Sequence, residues 1–202
     1  MANNFFNAVK PNISANASAP TTVYTPSGIK AIAIELDAAN KSTAGVTITV
    51  SIEDNSANAS ATAATVSSAA NGTFTDSSHG LVVGDRLLFA FNTAPNIASG
   101  STDSALLNTK IYYVQAADTN TFHIAETRSA GTPIKFSSAG ASITYIKKSI
   151  SDIVRDAPVP VGGALKVIAG QKLVLEASDK LLCTASSAST VDCIASILED
   201  VS

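Results

Sequence analysis

The sequence predicts an all-β protein: a β-sandwich split along the chain, with a second small β domain inserted between its two parts. Three observations predict it. Apolar residues recur on a beat of two in segment after segment. Turn residues interrupt these segments at intervals of about 8–12 residues. No stretch of the ~10 residues a typical helix needs carries a 3.6-residue apolar stripe.

Residues 1–20 are rich in Asn, Ala and Ser, with Pro11 and Pro20, and predict an extended N-terminal arm. Phe5 and Phe6 are its candidate contacts, anchors that a partner would bury. Deleting residues 2–20 is then expected to weaken assembly and leave melting unchanged. Thr21–Thr25 alternates, Pro26-Ser27-Gly28 turns, and Ile29–Leu36 alternates again with Ile32, Ile34 and Leu36 apolar, which reads as strand, hairpin turn, strand. Val46, Ile48, Val50 and Ile52 share one face of a third strand. Residues 54–71 hold Ser, Ala, Asn and Thr with no large apolar side chain before Val66, and a domain boundary is expected there.

Residues 59–147 predict the inserted domain, with short strands around Thr73–Thr75, Arg86–Phe91, Lys110–Ala116, Thr121–Ala125 and Ala141–Ile146. The stretch from Phe91 to Lys110 is too long for a tight hairpin and is expected to project as a surface loop. From Ser149 onward, strands are expected over Ile150–Val154, Leu165–Ala169, Lys172–Glu176, Lys180–Ala185 and Val191–Leu198. Pro158 and Pro160 lack a backbone donor, so their segment belongs at a sheet edge or in a crossover. Residues 21–58 supply three one-faced strands, too few to close a core, and residues 148–202 supply the rest. The expected architecture is therefore one discontinuous sandwich of immunoglobulin-like or jelly-roll type, 21–58 plus 148–202.

Composition narrows the function. Charged residues are 14% of the chain and the net charge is −3, with no run of Lys or Arg. Such a surface offers no footprint for a phosphate backbone, and nucleic acid is not an expected partner. No apolar run approaches the ~18 residues that cross a bilayer, so no membrane partner is expected. The N-terminus has no basic block followed by an apolar one, and synthesis in a cytoplasm is expected. The Asn-x-Ser/Thr triplets at Asn12, Asn16, Asn40, Asn58 and Asn71 are what a chain so rich in these residues produces by chance.

The candidate chemistry is sparse. In His79-Gly80-Leu81-Val82-Val83-Gly84-Asp85 the glycines make positive φ cheap and Asp85 can bond its own backbone, so the segment reads as a turn entering a strand. A general base would need a nucleophile and an orienting partner, and neither is marked beside His79. His123 alternates with Phe122 and Ile124 and is expected on a solvent face. Tyr112 and Tyr113 are adjacent on a strand and face opposite ways, so only one of them can be exposed on a given side. Tyr112 and His123 are the candidate contacts for a host-surface glycan. The carboxylates are scattered, with no pair marking a glycosidase or depolymerase. Val161-Gly162-Gly163-Ala164 lacks the Lys-Ser/Thr and the helix of a phosphate loop. Cys183 and Cys193, across a hairpin expected at Ala188, are either small buried hydrophobes or a cross-strand disulfide, and cannot complete a zinc site by themselves. No catalytic residue, metal or cofactor is expected.

Two sets of motifs carry a resemblance. His79-Gly80-Leu81 with Gly84-Asp85, Ile111-Tyr112-Tyr113-Val114, Asn120-Thr121-Phe122-His123-Ile124-Ala125 and Ala130-Gly131-Thr132-Pro133-Ile134 resemble a small β module recurrent in tail and fibre proteins of tailed bacteriophages. Thr22-Val23-Tyr24-Thr25-Pro26, Asp156-Ala157-Pro158-Val159-Pro160-Val161-Gly162, Lys172–Asp179 and Ala195–Glu199 resemble small phage virion proteins of sandwich type. The resemblance implies a non-enzymatic structural subunit of the virion, in the tail, neck or head surface, assembled in the host cytoplasm. Its implied partners are copies of itself and other virion proteins; the alternative is an adhesion module touching a host glycan. The chain departs from the inserted module in its enlarged Phe91–Lys110 loop.

Overall fold

A computed structural model describes residues 4–128 and 131–199. Its strands, in chain order, are β1 (Asn4–Lys10), β2 (Thr21–Tyr24), β3 (Lys30–Asn40), β4 (Val46–Glu53), β5 (Thr62–Ser68), β6 (Thr73–Thr75), β7 (Arg86–Ala90), β8 (Ile97–Ser99), β9 (Ile111–Ala117), β10 (Thr121–Ala125), β11 (Lys135–Phe136), β12 (Ile143–Lys148), β13 (Ile150–Val159), β14 (Ala164–Glu176), β15 (Lys180–Ala185) and β16 (Val191–Glu199). Among the described residues there is no helix. The chain divides into two compact units, residues 1–57 with 149–202, and residues 58–148.

The first unit is a sandwich of two four-stranded antiparallel sheets, β1-β16-β3-β14 and β13-β4-β15-β2. The period of two explains its core. Ala31, Ala33, Leu36 and Ala38 of β3 and Cys193, Ala195 and Ile197 of β16 point inward to meet Ile48 and Val50 of β4 and Leu181 and Cys183 of β15. β13, which carries Pro158, is an edge strand, where a residue without an amide proton leaves no ladder bond broken.

Several expectations are corrected here. Residues 4–20 are not a free arm, and residues 1–3 of the expected arm lie outside the described residues. Residues 4–10 are β1, which pairs along its whole length with β16 from Asn4↔Glu199 to Lys10↔Cys193. Ile13 is fully buried in the sandwich core; its amide donates to the Val191 carbonyl at 2.9 Å, and its own carbonyl accepts from Ser189 at 3.0 Å. Composition hid this because β1 buries only Phe6 and Ala8, and partly. Pro26-Ser27-Gly28 does not close a hairpin, and neither does the connection around Ala188. β2 and β3 lie in opposite sheets, as do β15 and β16, because each turn carries the chain over the end of the core. The two strands expected over Leu165–Ala169 and Lys172–Glu176 are one strand, β14, bulged between Ala169 and Leu173, where Gly170 has φ 74°.

The second unit is a closed barrel in the order β10-β6-β5-β12-β7-β9, with the β11-β8 ribbon beside it. Its interior is aromatic: Phe74 stacks on Phe122 at 5.1 Å and meets Phe89 at 5.2 Å and Phe136 edge-on at 5.5 Å. β5 falls inside the stretch where a domain boundary was expected; Thr, Ala and Ser make its outer face and only Ala64 is buried. The Phe91–Lys110 loop does not project. It folds onto its own unit through β8, through Leu106, which is 1% exposed, and through the bridges Thr93↔Ala141 and Asn96↔Ala105.

Candidate functional site

The first unit turns one sheet face outward with an apolar row running across all four strands. Alternation along β1 sends Phe6 and Ala8 to the core and leaves Phe5, Asn7 and Val9 outside. The register then aligns Phe5 with Leu198, Leu198 with Ile32 and Ile32 with Val174. Phe5 is 63% and Val174 52% exposed, while Leu198 and Ile32 between them are half-buried. A second exposed pair, Val9 opposite Ile194, lies toward the other end of the same face.

Two ion pairs lie on this face, beside Asp37, whose Oδ1 is covered without a hydrogen-bond partner. Lys166 bonds Glu35, and Lys30 lies 3.9 Å from Glu176. The Glu35 bond raises the Lys166 ammonium above its ordinary pKa, and the charges of Asp37 and Glu35 add to this. The sheet thus offers an apolar row flanked by two ion pairs.

At the end of the sandwich, Oε1 of Glu199 accepts from the Tyr24 hydroxyl at 2.7 Å, from the Ser27 amide at 2.5 Å and from the Ser27 hydroxyl at 2.9 Å. These bonds, Tyr24's first, hold the carboxyl below its usual range. The carboxylate serves as the clamp of the β2–β3 crossover.

In the second unit each candidate residue is absorbed by the fold. Nδ1 of His79 accepts from the Leu81 amide at 2.9 Å, which places the ring proton on Nε2, 3.2 Å from the Thr121 carbonyl oxygen. Its ring packs edge-on against Phe122 at 5.3 Å. With both nitrogens engaged, His79 fastens the turn to β10. Gly84, at φ 92°, donates to the Val114 carbonyl at 2.8 Å, and Asp85 accepts from the Val82 amide while pairing with Lys147 at 2.8 Å.

Tyr112 and Tyr113 are both buried. Tyr112 fills the barrel and its hydroxyl accepts from the Leu107 amide at 3.0 Å; burial raises its phenol. Tyr113, on the outer side, is covered by the Arg86 guanidinium 5.9 Å from its ring centre. Neither provides a stacking platform for a sugar. His123 is half-buried where a solvent face was expected, and its Nδ1 is covered without a hydrogen-bond partner. Of the two N-terminal contacts, Phe5 is exposed, but Phe6 packs edge-on against Tyr24 at 5.9 Å and belongs to the sandwich. The row around Phe5 was missed because its members come from four separated segments that only the register brings together.

Lys110 holds the Phe91–Lys110 loop. Its ammonium bonds Asp103 at 2.5 Å and Glu126 at 3.1 Å, and Ser101 donates to Glu126 at 2.6 Å. Burial alone would pull Lys110 down, but the bonds and charges of the two carboxylates outweigh it and the net shift is upward. Among the described residues no group of three or more His, Cys, Asp or Glu is placed to hold a metal ion. Also among the described residues, no helix is long and apolar enough to cross a membrane. No protein-family model matches the chain, and neither the curated proteins nor the solved structures searched contain a match.

Proposed function

We propose that the chain is a non-enzymatic structural subunit of a tailed-phage virion, placed in the tail, neck or head surface, that packs against copies of itself and neighbouring virion proteins. The observation that carries the packing role is the row Phe5–Leu198–Ile32–Val174 across all four strands of one sheet face. A contiguous apolar row with its two ends more than half exposed leaves area to bury against a partner. A two-fold pairing of such faces needs no second kind of surface, since each row can lie against its own copy. Electrostatic steering plays little part, as the net charge is small. The virion assignment draws on the motif resemblance given above, and the structural duties of His79, Tyr112 and Tyr113 in the barrel support the non-enzymatic reading.

The test is mass spectrometry of gradient-purified phage particles from the source of this sequence, with copy number counted per genome. Recovery in fixed, multiple copies supports the reading. Absence from the particle, with the protein present in the lysate, overturns it.

A further inference from the structure

We propose that Cys183 and Cys193 form a latent disulfide site, at which oxidation by a peroxide joins the two sheets of the sandwich covalently. The inference is independent of the virion reading. Cys183 lies on β15 and Cys193 on β16, in opposite sheets. Their Sγ atoms are 3.5 Å apart, both thiols are free, and both residues are buried in the sandwich core. A disulfide needs the sulfurs at ~2 Å, so closure asks for an approach of about 1.5 Å, within the reach of small side-chain rotations. Cys193 is in register with the small Ala38, and Cys183 with Val50.

The chemistry balances with one oxidant. A peroxide oxidises the first thiol to a sulfenic acid and releases one water from hydrogen peroxide; the second thiol then attacks that sulfur and expels the hydroxyl as another water. Two thiols and one hydrogen peroxide become one disulfide and two waters, with two electrons passing from sulfur to peroxide oxygen. The neighbouring Cys193 thiol and burial both push the Cys183 thiol up, so little thiolate exists in the closed core. Oxidation therefore follows opening of the β15–β16 connection, whose residues Ser186–Ser189 are exposed.

The consequence is a lock that can be added after folding. The cysteines are ten positions apart, and a bridge closing a loop of that size lowers the unfolding equilibrium constant by ~100-fold through lost chain entropy. A chain folded with reduced thiols and later exposed to oxidant would gain a covalent bond across its core, where the sheets otherwise hold each other by packing and by hydrogen bonds such as that from Tyr24 to Glu199.

The full chain, purified under reductant, is treated with hydrogen peroxide at a guanidinium concentration just below its unfolding transition. Remaining thiols are then blocked and the protein is peptide-mapped. The expected result is a monomer with a Cys183–Cys193 cross-link, a higher guanidinium midpoint, and return to the starting midpoint on adding a thiol reductant. Cys193→Ser should give no intramolecular cross-link and no rise. Disulfide-linked dimers in place of the internal bond, sulfinic acid without cross-link, or an internal bond that lowers the midpoint would each overturn the proposal. Mapping the unsubstituted chain decides the question even if the variant folds poorly.

Discussion

Replacing Phe5 and Val174 together by Ser removes the two most exposed members of the outward row while leaving the sandwich core untouched. A phenylalanine side chain offers ~150–250 Å². With Phe5 63% exposed, roughly 125 Å² remains for a partner to cover, worth ~3 kcal/mol at ~25 cal/mol per Å². Val174, about half exposed, adds ~1 kcal/mol on the same scale. Side-chain ordering and incomplete coverage take back about half of that sum. A two-fold contact uses the row twice, so the double substitution should cost ~4 kcal/mol of association, roughly a thousandfold in Kd. The monomer should lose about 1 kcal/mol or less, since both sites are at the surface. Sedimentation velocity over a concentration series reads association, and guanidinium unfolding reads the monomer. Association of the variant as tight as that of the unsubstituted chain would refute the assignment of this face, and a large loss of monomer stability would show that the row belongs to the core.

Ile13→Ala should lower the sandwich's stability by ~2–5 kcal/mol, the usual cost of emptying a closed apolar site. Deletion of residues 2–20 should melt the unit earlier still, because β1 and Ile13 are both lost; an unchanged melting curve would count against their place in the core. Phe74→Ala should cost ~3–5 kcal/mol in the barrel, which calorimetry of the full chain detects, since three aromatic rings lose a shared neighbour. Glu199 has a folded pKa below its ordinary value of 4.5, so its contribution is present above that value and fades as pH falls through the lower folded pKa. Glu199→Gln should flatten this part of the stability–pH profile, and an unaltered acid limb would sink the clamp. Lys110→Met removes the ammonium that bonds both Asp103 and Glu126 and should open the Phe91–Lys110 loop to limited proteolysis at neutral pH, where the unsubstituted loop resists.

Strand type was legible wherever one face is uniformly apolar. Val46, Ile48, Val50 on β4 and Phe122, Ile124 on β10 declare themselves because alternate residues must avoid water on one side only. β1, β5 and β8 were hidden because they bury so little: Phe6 and Ala8 in part on β1, Ala64 alone in full on β5, and Ile97 in part on β8. The turn at His79 was readable from its glycines, whereas the hydrogen bonds that occupy both imidazole nitrogens come from Leu81 and from Thr121, the latter far along the chain. Tyr112 and Tyr113 show where the alternation rule stops. It placed them on opposite sides, correctly, but could not say that Arg86 covers the outer one.

The sequence by itself determined the periodicity and therefore the secondary structure class, because side-chain direction in an extended chain is a local property. Sheet membership, the two cysteines meeting across the sandwich, and the outward row drawn from β1, β16, β3 and β14 were decided by tertiary structure. Each depends on which strands lie side by side and in what register, and that is settled by the packing of the whole core, to which every segment contributes a little and none enough to be read alone.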